Sequence, residues 1–403
     1  MKEICPIEQC TGCTACLNAC AKSAITMQPD NLGFMYPSID ESLCVDCGLC
    51  ERSCPNNHPV TKYLPPESFV GHAVNTDEQL SSTSGGIASA ISRWCIRKGG
   101  VVYGCSAKEC THVKHIRVTH EEELKWLKGS KYVQSDMGMC YSLVKDDLKD
   151  NRTVVFIGTP CQCAGLKSFL RKDYDNLYLI DFVCHGVPSQ SVLNEELKLH
   201  ASESQLESAR LNFRRKLQKE TEYSTQYGIF LNDESNNEIY AEVFPSNTYI
   251  TGFLTGLFYR NSCYQCHYTT PERVSDITLG DYGDHSGDYN SMEGRKRLLS
   301  MITVNTEKGH QVLNSIGDTI ICKSIEYDKL VKAQGQLRRP IARHNLRSEF
   351  GRILPQTGYR VASKSLLKED IARIKRNLLV SQIRDTLFKI PFVKSIYKQL
   401  RNR

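Results

Sequence analysis

From residue 69 onward the chain alternates short apolar runs with longer amphipathic ones. FVGHAV (69–74), VVYGCSA (101–107), TVVFIG (153–158) and LYLIDFVC (177–184) have the lengths and β-branched or aromatic content of strands. SGGIASAISRWCIRK (84–98), LKSFLRK (166–172) and SVLNEELKLH (191–200) repeat apolar residues at helical spacing. This alternation predicts an α/β body over 69–200 with some parallel pairing. LNFRRK (211–216), YGIFLN (227–232) and EIYAEVF (238–244) alternate again, which predicts an α+β second half over 201–350. In the tail, 351–403, KSLLKEDIARIKRNLLVSQIRDTLFKI (364–390) reads as a basic amphipathic helix, broken at Pro391.

The first 57 residues follow neither period. They contain two similar cysteine-rich units, CTGCTACLNAC (10–20) and CVDCGLCERSCP (44–55), an internal repeat with a period of 34. The stretch NNHPVTKYLPPES (56–68) is polar with three prolines, so residues 58–68 are read as a linker to the body.

Composition narrows the class. A chain of 403 residues has room for two or three compact domains, and 8% aromatic and 24% charged residues are ordinary for folded proteins. Nineteen cysteines are not ordinary. The opening MKEICPIEQC shows no apolar leader and no run approaches 18 apolar residues, which points to the reducing cytoplasm and to thiols used as metal ligands. A net charge of +6, concentrated in one terminal helix without a recognisable binding fold, disfavours nucleic acid.

Cys-x2-Cys-x2-Cys-x3-Cys is a spacing suited to [4Fe–4S] cubes, because soft thiolates suit iron and each cube takes four. In the bacterial two-cluster pattern the fourth cysteine of each run serves the other cluster. On that pattern Cys10, Cys13, Cys16 and Cys54 hold one cluster, and Cys44, Cys47, Cys50 and Cys20 the other. Pro55 follows Cys54 as the pattern wants, while Ala21 stands where the first proline would be. The competing reading, a pair of zinc ribbons, uses two Cys-x2-Cys pairs rather than triplets with a trailing fourth.

Eleven cysteines lie outside the two runs. Four of them sit where loops meet regular elements, in GTPCQCAGL (158–166), DFVCHGVPS (181–189) and RNSCYQCHY (260–268). Strand ends gather at one edge of an α/β sheet, so Cys161, Cys184, Cys263 and Cys266 are candidates for a third cluster. Cys95, Cys105, Cys140 and Cys322, set among apolar residues, read as small buried hydrophobes. Cys163, two residues from Cys161, is placed to compete with it as a ligand.

GTPCQCAGL, CHGVPS, RNSCYQC and RVSDITLGDY, together with STSGGIASAI (82–91), GGVVYG and KGSKYVQS, resemble the beta-subunit family of coenzyme F-420 hydrogenases and dehydrogenases. The motifs run in family order from about 69 to 305, behind a two-cluster ferredoxin domain. The resemblance implies a bacterial-type 2[4Fe–4S] ferredoxin fold (1–57), a flavin-binding α/β part (69–200), a C-terminal part of the body (201–350) and an amphipathic helical tail (351–403). It also implies FAD, with Cys161, Cys184, Cys263 and Cys266 as ligands of a third cluster. Ser84, Gly85, Gly86, Ser130, Lys131, Tyr132 and Gln134 fall on the stretches expected to hold that FAD. Ser-Gly-Gly at a helix start suits a pyrophosphate, although an ordinary tight turn explains it equally well. Three departures stand out: GDYGD (280–284) where family members often have GDFWG, Cys163 in place of an aliphatic residue, and the irregular HSGDYNSMEGRKRLLS (285–300).

The leading expectation is an iron–sulfur flavoprotein oxidoreductase that passes electrons between [4Fe–4S] clusters and FAD. It would couple a ferredoxin-like carrier or a deazaflavin to an unidentified organic substrate. His185, beside Cys184, stands as proton donor in that reading, against the plainer role of satisfying a local hydrogen bond. Two alternatives are a non-catalytic electron-transfer subunit serving a partner protein and an iron–sulfur redox sensor. The basic tail suits packing on the body, or contact with an anionic membrane surface or a protein partner.

Overall fold

A computed structural model of the chain describes residues 3–219, 222–282 and 299–387. Most of the irregular segment 285–300 and the expected break at Pro391 lie outside the described residues. The strands, in chain order, are β1 (Ile25–Pro29), β2 (Met35–Ile39), β3 (Glu67–Ala73), β4 (Val101–Ser106), β5 (Lys114–Val118), β6 (Val154–Gly158) and β7 (Leu177–Phe182). They continue with β8 (Arg210–Lys219), β9 (Glu222–Asn232), β10 (Glu238–Val243), β11 (Ile277–Tyr282), β12 (Leu299–Val304) and β13 (Ile320–Ser324).

Eight strands form the central sheet in the order β13-β3-β12-β11-β7-β6-β4-β5. Its middle, β11-β7-β6-β4, is parallel, and every other neighbour pair is antiparallel. The sequence explains the split. VVFIG and LYLIDF are continuous apolar runs, as strands covered on both faces require, and Val154, Val155, Phe156 and Ile180 are fully buried. The strand-like runs after 210 pair with one another as the separate antiparallel sheet β10-β9-β8. The body is thus mixed α/β around one large sheet, with a small ferredoxin-like unit ahead of it.

That unit consists of the hairpin β1–β2 and two short helices, Ala15–Ala19 and Leu49–Arg52. It is fastened to the body over a wide front. Leu32, Phe34 and Tyr36 join the body's main core, and Cys13 and Ala15 join the core beneath β4 and β6. Asn18 donates to Gly138 O (2.9 Å) and accepts from Ser142 N (3.0 Å). The tail is helical over Arg347–Leu387, with a non-helical residue at Gly358. Its first half buries Phe350, Tyr359, Ala362 and Leu367 in the main core, whereas Leu378, Leu379, Val380 and Ile383 are exposed. Among the described residues no helix is long and apolar enough to cross a membrane.

Candidate redox site

The two cysteine-rich runs lie against each other. Cys13 and Cys16 are each within electrostatic reach of Cys10 and Cys54, and Cys50 of Cys20 and Cys44. Positive φ angles at Gly12, Thr14, Asp46 and Gly48 curl the two loops alike. The first set, here the inner one, has Cys13 and Cys54 buried, whereas in the outer set Cys47 is exposed and none is fully buried. Cys5 is an unforeseen fifth thiol at the inner set. Its hydrogen bonds to Cys10 and Cys54 are the first cause holding those thiols down, to about 6 and about 7. Nothing in the spacing distinguished Cys5 from an incidental cysteine.

The third group assembles on the body. Gly158 ends β6, and Thr159 and Gln162 form a capping box that starts the helix Pro160–Leu170 and sets Cys161 in its first turn. Cys184 follows β7, Cys263 lies within the tight turn Asn261–Gln265, and Cys266 directly follows it. Cys161 lies near Cys184 and Cys266, Cys184 near Cys263, and Cys263 near Cys266. Burial pushes the Cys263 thiol up to about 12 and raises Cys161, Cys184 and Cys266 as well. Cys163 points elsewhere: its fully buried Sγ faces Gly158 O (4.0 Å) and Ile180 O (3.8 Å) under the sheet. Among the described residues no three Cys, His, Asp or Glu converge as for a single metal ion. A four-iron cube binds each thiolate at a different corner and so spreads them wider.

These four cysteines line one wall of a cavity of about 510 Å³ above the ends of the parallel strands. Ser84, Gly86, Ser130, Lys131, Tyr132, Gln134 and His185 line it too. The Ser-Gly-Gly segment is partly engaged within the protein. Ser84 Oγ donates to Leu299 O (2.7 Å), and Gly85 N donates to Ser300 Oγ (3.0 Å). A Cβ on Gly85 would lie 2.4 Å from Gly71 O, so this glycine permits close packing on β3. Gly86 and the first turn of the helix Ile87–Arg97 remain to present N–H groups to the cavity.

Lys131 is partly buried and donates to Leu127 O and Lys128 O (both 2.8 Å); desolvation brings its ammonium down to about 8. Tyr132 stacks on Phe253 (4.4 Å between centroids) and accepts from Arg214 Nε. His185 Nδ1 is 2.7 Å from Tyr259 Oη, whose own hydrogen goes to Phe253 O (2.5 Å). Nδ1 therefore carries the imidazole hydrogen and Nε2 is left as an acceptor. Burial lowers the pKa of His185, which favours this neutral form.

Two arginines complete the site. Arg273, in the RVSDITLGDY motif, forms a fully buried ion pair with Asp181 of β7 (3.0 Å). Arg260, directly before the Cys-x2-Cys turn, is 1% exposed and bridges the body to the inner cysteine loop. A second cavity of about 270 Å³ adjoins the first through Ser82, Thr83, Arg214 and the 128–131 segment. Its walls carry Lys108, Lys125, Lys128, Lys131, Arg210, Arg214 and Lys216, and among the described residues no carboxylate.

Residues 9–58 match the 4Fe-4S dicluster domain, and residues 151–329 match the C terminus of the coenzyme F420 hydrogenase/dehydrogenase beta subunit. Comparison with curated proteins found no match. Among solved structures, a chain of the xenon-derivatised F420-reducing [NiFe] hydrogenase complex from Methanosarcina barkeri is similar at 16% identity and a TM-score of 0.47. The likeness covers 69% of this chain and 90% of that one. The chain is thus an iron–sulfur electron-transfer protein of oxidoreductase type, similar over residues 9–58 to the 4Fe-4S dicluster domain and over residues 151–329 to the C terminus of the coenzyme F420 hydrogenase/dehydrogenase beta subunit.

Proposed function

We propose that the chain is an iron–sulfur flavoprotein oxidoreductase with a third cluster beside FAD. It would exchange electrons between a ferredoxin-like carrier or deazaflavin and a small organic substrate in the cytoplasm. The observation that carries this reading is the shared cavity. Cys161, Cys184, Cys263 and Cys266 line the same cavity as the helix start at Gly86 and the 130–134 segment. A flavin bound there would supply two-electron chemistry next to one-electron carriers.

The cavity suits a large polar ligand. Its lining includes Asp181 and Ser262, each with a buried side-chain oxygen lacking a hydrogen-bond partner among the described residues. First-turn N–H groups after Gly86 face where a diphosphate would be held, and Tyr132 offers a stacked aromatic wall. His185 Nε2, left as an acceptor, takes a proton from a donor in the cavity rather than giving one in its resting state. The adjoining cationic chamber favours a substrate bearing negative charge.

The three cysteine sets lie in series. The outer and inner sets share one small core, around Ile4 and Ile25. Cys13 of the inner set shares a core with Cys161 and Cys266. The exposed outer end is where a carrier protein would dock.

Anaerobic purification followed by assay of iron, acid-labile sulfide and released flavin tests the reading. About twelve irons with one FAD are expected. About eight irons without flavin would overturn the third cluster and the flavin together, leaving an electron-transfer subunit.

A further inference from the structure

The guanidinium of Arg260 is buried, and among the described residues no carboxylate pairs with it. Its Nε donates to Cys10 O (2.7 Å), one terminal nitrogen to Met35 O (2.8 Å) and the other to Gln134 Oε1 (3.1 Å). It lies over Tyr36 (4.2 Å) and stands 3.6 Å from Cys10 Sγ. The residue is pinned from its own side as well, since its N–H donates to Val187 O and its C=O accepts from Cys263 N. Even the loop it serves is shaped to it: a Cβ on Gly12 would lie 2.8 Å from both Arg260 and Gln134.

A buried cation without a counter-charge is costly unless something negative sits beside it. The inner thiolates and the cluster they hold are the negative group in contact with it, through Cys10, while Cys263 of the body set lies within its electrostatic reach without such a contact. Reduction adds one more negative charge to a cluster, and burial away from water works against that charge. A fixed cation at contact distance works for it, more strongly in a low-dielectric surrounding. Among the described residues the outer set has no such partner. Arg52, exposed beside it, donates to Cys47 O (2.7 Å) rather than to a thiol.

We infer that Arg260 is a positioning residue that raises the reduction potential of the inner cluster, so that this buried cluster accepts electrons from the exposed outer one. The inference rests on the dicluster domain and stands or falls apart from the flavin.

The test is a redox titration of the whole reconstituted protein followed by EPR. The outer signal is assigned by its loss in Cys47→Ser and the body signal by its loss in Cys184→Ser. Arg260→Gln is expected to shift the inner midpoint to more negative potential and leave the outer one in place, with Arg260→Lys largely restoring it. Should Arg260→Gln not fold, Gln134→Glu neutralises the guanidinium where it stands and is expected to shift the inner midpoint in the same direction. An unmoved inner midpoint in whichever of these variants folds, equal shifts in both clusters, or equal shifts in the Gln and Lys variants would overturn the inference.

Discussion

The two halves of the dicluster domain carry the same motif and meet different surroundings. Residues 12 and 14 take the same left-handed turns as residues 46 and 48, one repeat later. Yet the inner loop is roofed by the body, with Cys13 buried, while Cys47 of the outer loop is exposed, as are Leu43 and Val45 on either side of Cys44. Equal coordination chemistry has been given unequal dielectric. The motif decides that a cluster can be held, and the neighbours decide how it behaves.

Removing one ligand from each half gives the largest expected contrast. Cys13→Ser and Cys47→Ser should each lower the iron content by about four. Only the inner substitution should also loosen the body. It places a hydroxyl in a core shared with Tyr141 and Phe169 and removes the cluster on which the domain docks. Thermal unfolding of the two variants checks this, and equal losses of Tm would break the comparison.

Oxidative loss of iron should separate the halves in time. Exposure governs access of oxidant to a thiolate-bound cluster, so a chelator with mild oxidant is expected to release about four irons first. That fast phase should be absent from Cys47→Ser and present in Cys13→Ser. A single phase, or a fast phase that survives Cys47→Ser, would mean that burial does not protect the inner cluster.

Much of this was legible because it is local. Thiol spacing is a one-dimensional signal, and the strand runs VVFIG and LYLIDF announce two-sided burial by their continuous apolar character. Cys161 and Cys184 were legible as strand-end residues and Cys263 and Cys266 as a Cys-x2-Cys pair, although only the fold could show Cys163 turned away beneath the sheet. Arg260 and Cys5 were invisible for the opposite reason. An arginine beside a cysteine motif reads as solvated until a second domain closes over it, and a lone thiol has no spacing to betray it. The Ser-Gly-Gly turn shows a related limit. Ser84 and Gly85 satisfy β12, whose partnership lies more than two hundred residues away in sequence.

The body's roof can be felt through one methyl group. Gly12→Ala adds a Cβ at a φ of +67°, into space held by Arg260 and Gln134 at 2.8 Å. The left-handed backbone costs about 1 kcal/mol and the overlap about 1–3 kcal/mol more. Chemical denaturation of the reconstituted protein should show the sum, with the inner EPR signal altered and the outer one unchanged.

Gly48→Ala is the control that isolates the roof, and the smallest effect expected. Its φ of +66° makes the backbone term the same as at Gly12. Its added Cβ meets only Arg52, at 3.0 Å from the far end of a flexible, exposed side chain that can move aside. The loss should therefore stop at about 1 kcal/mol. Subtracting it from the Gly12→Ala value leaves the packing contributed by Arg260 and Gln134 alone. If the two substitutions cost the same, the inner loop has no tighter surroundings than the outer one, and the asymmetry between the clusters must be sought in their distance from water rather than in the arginine.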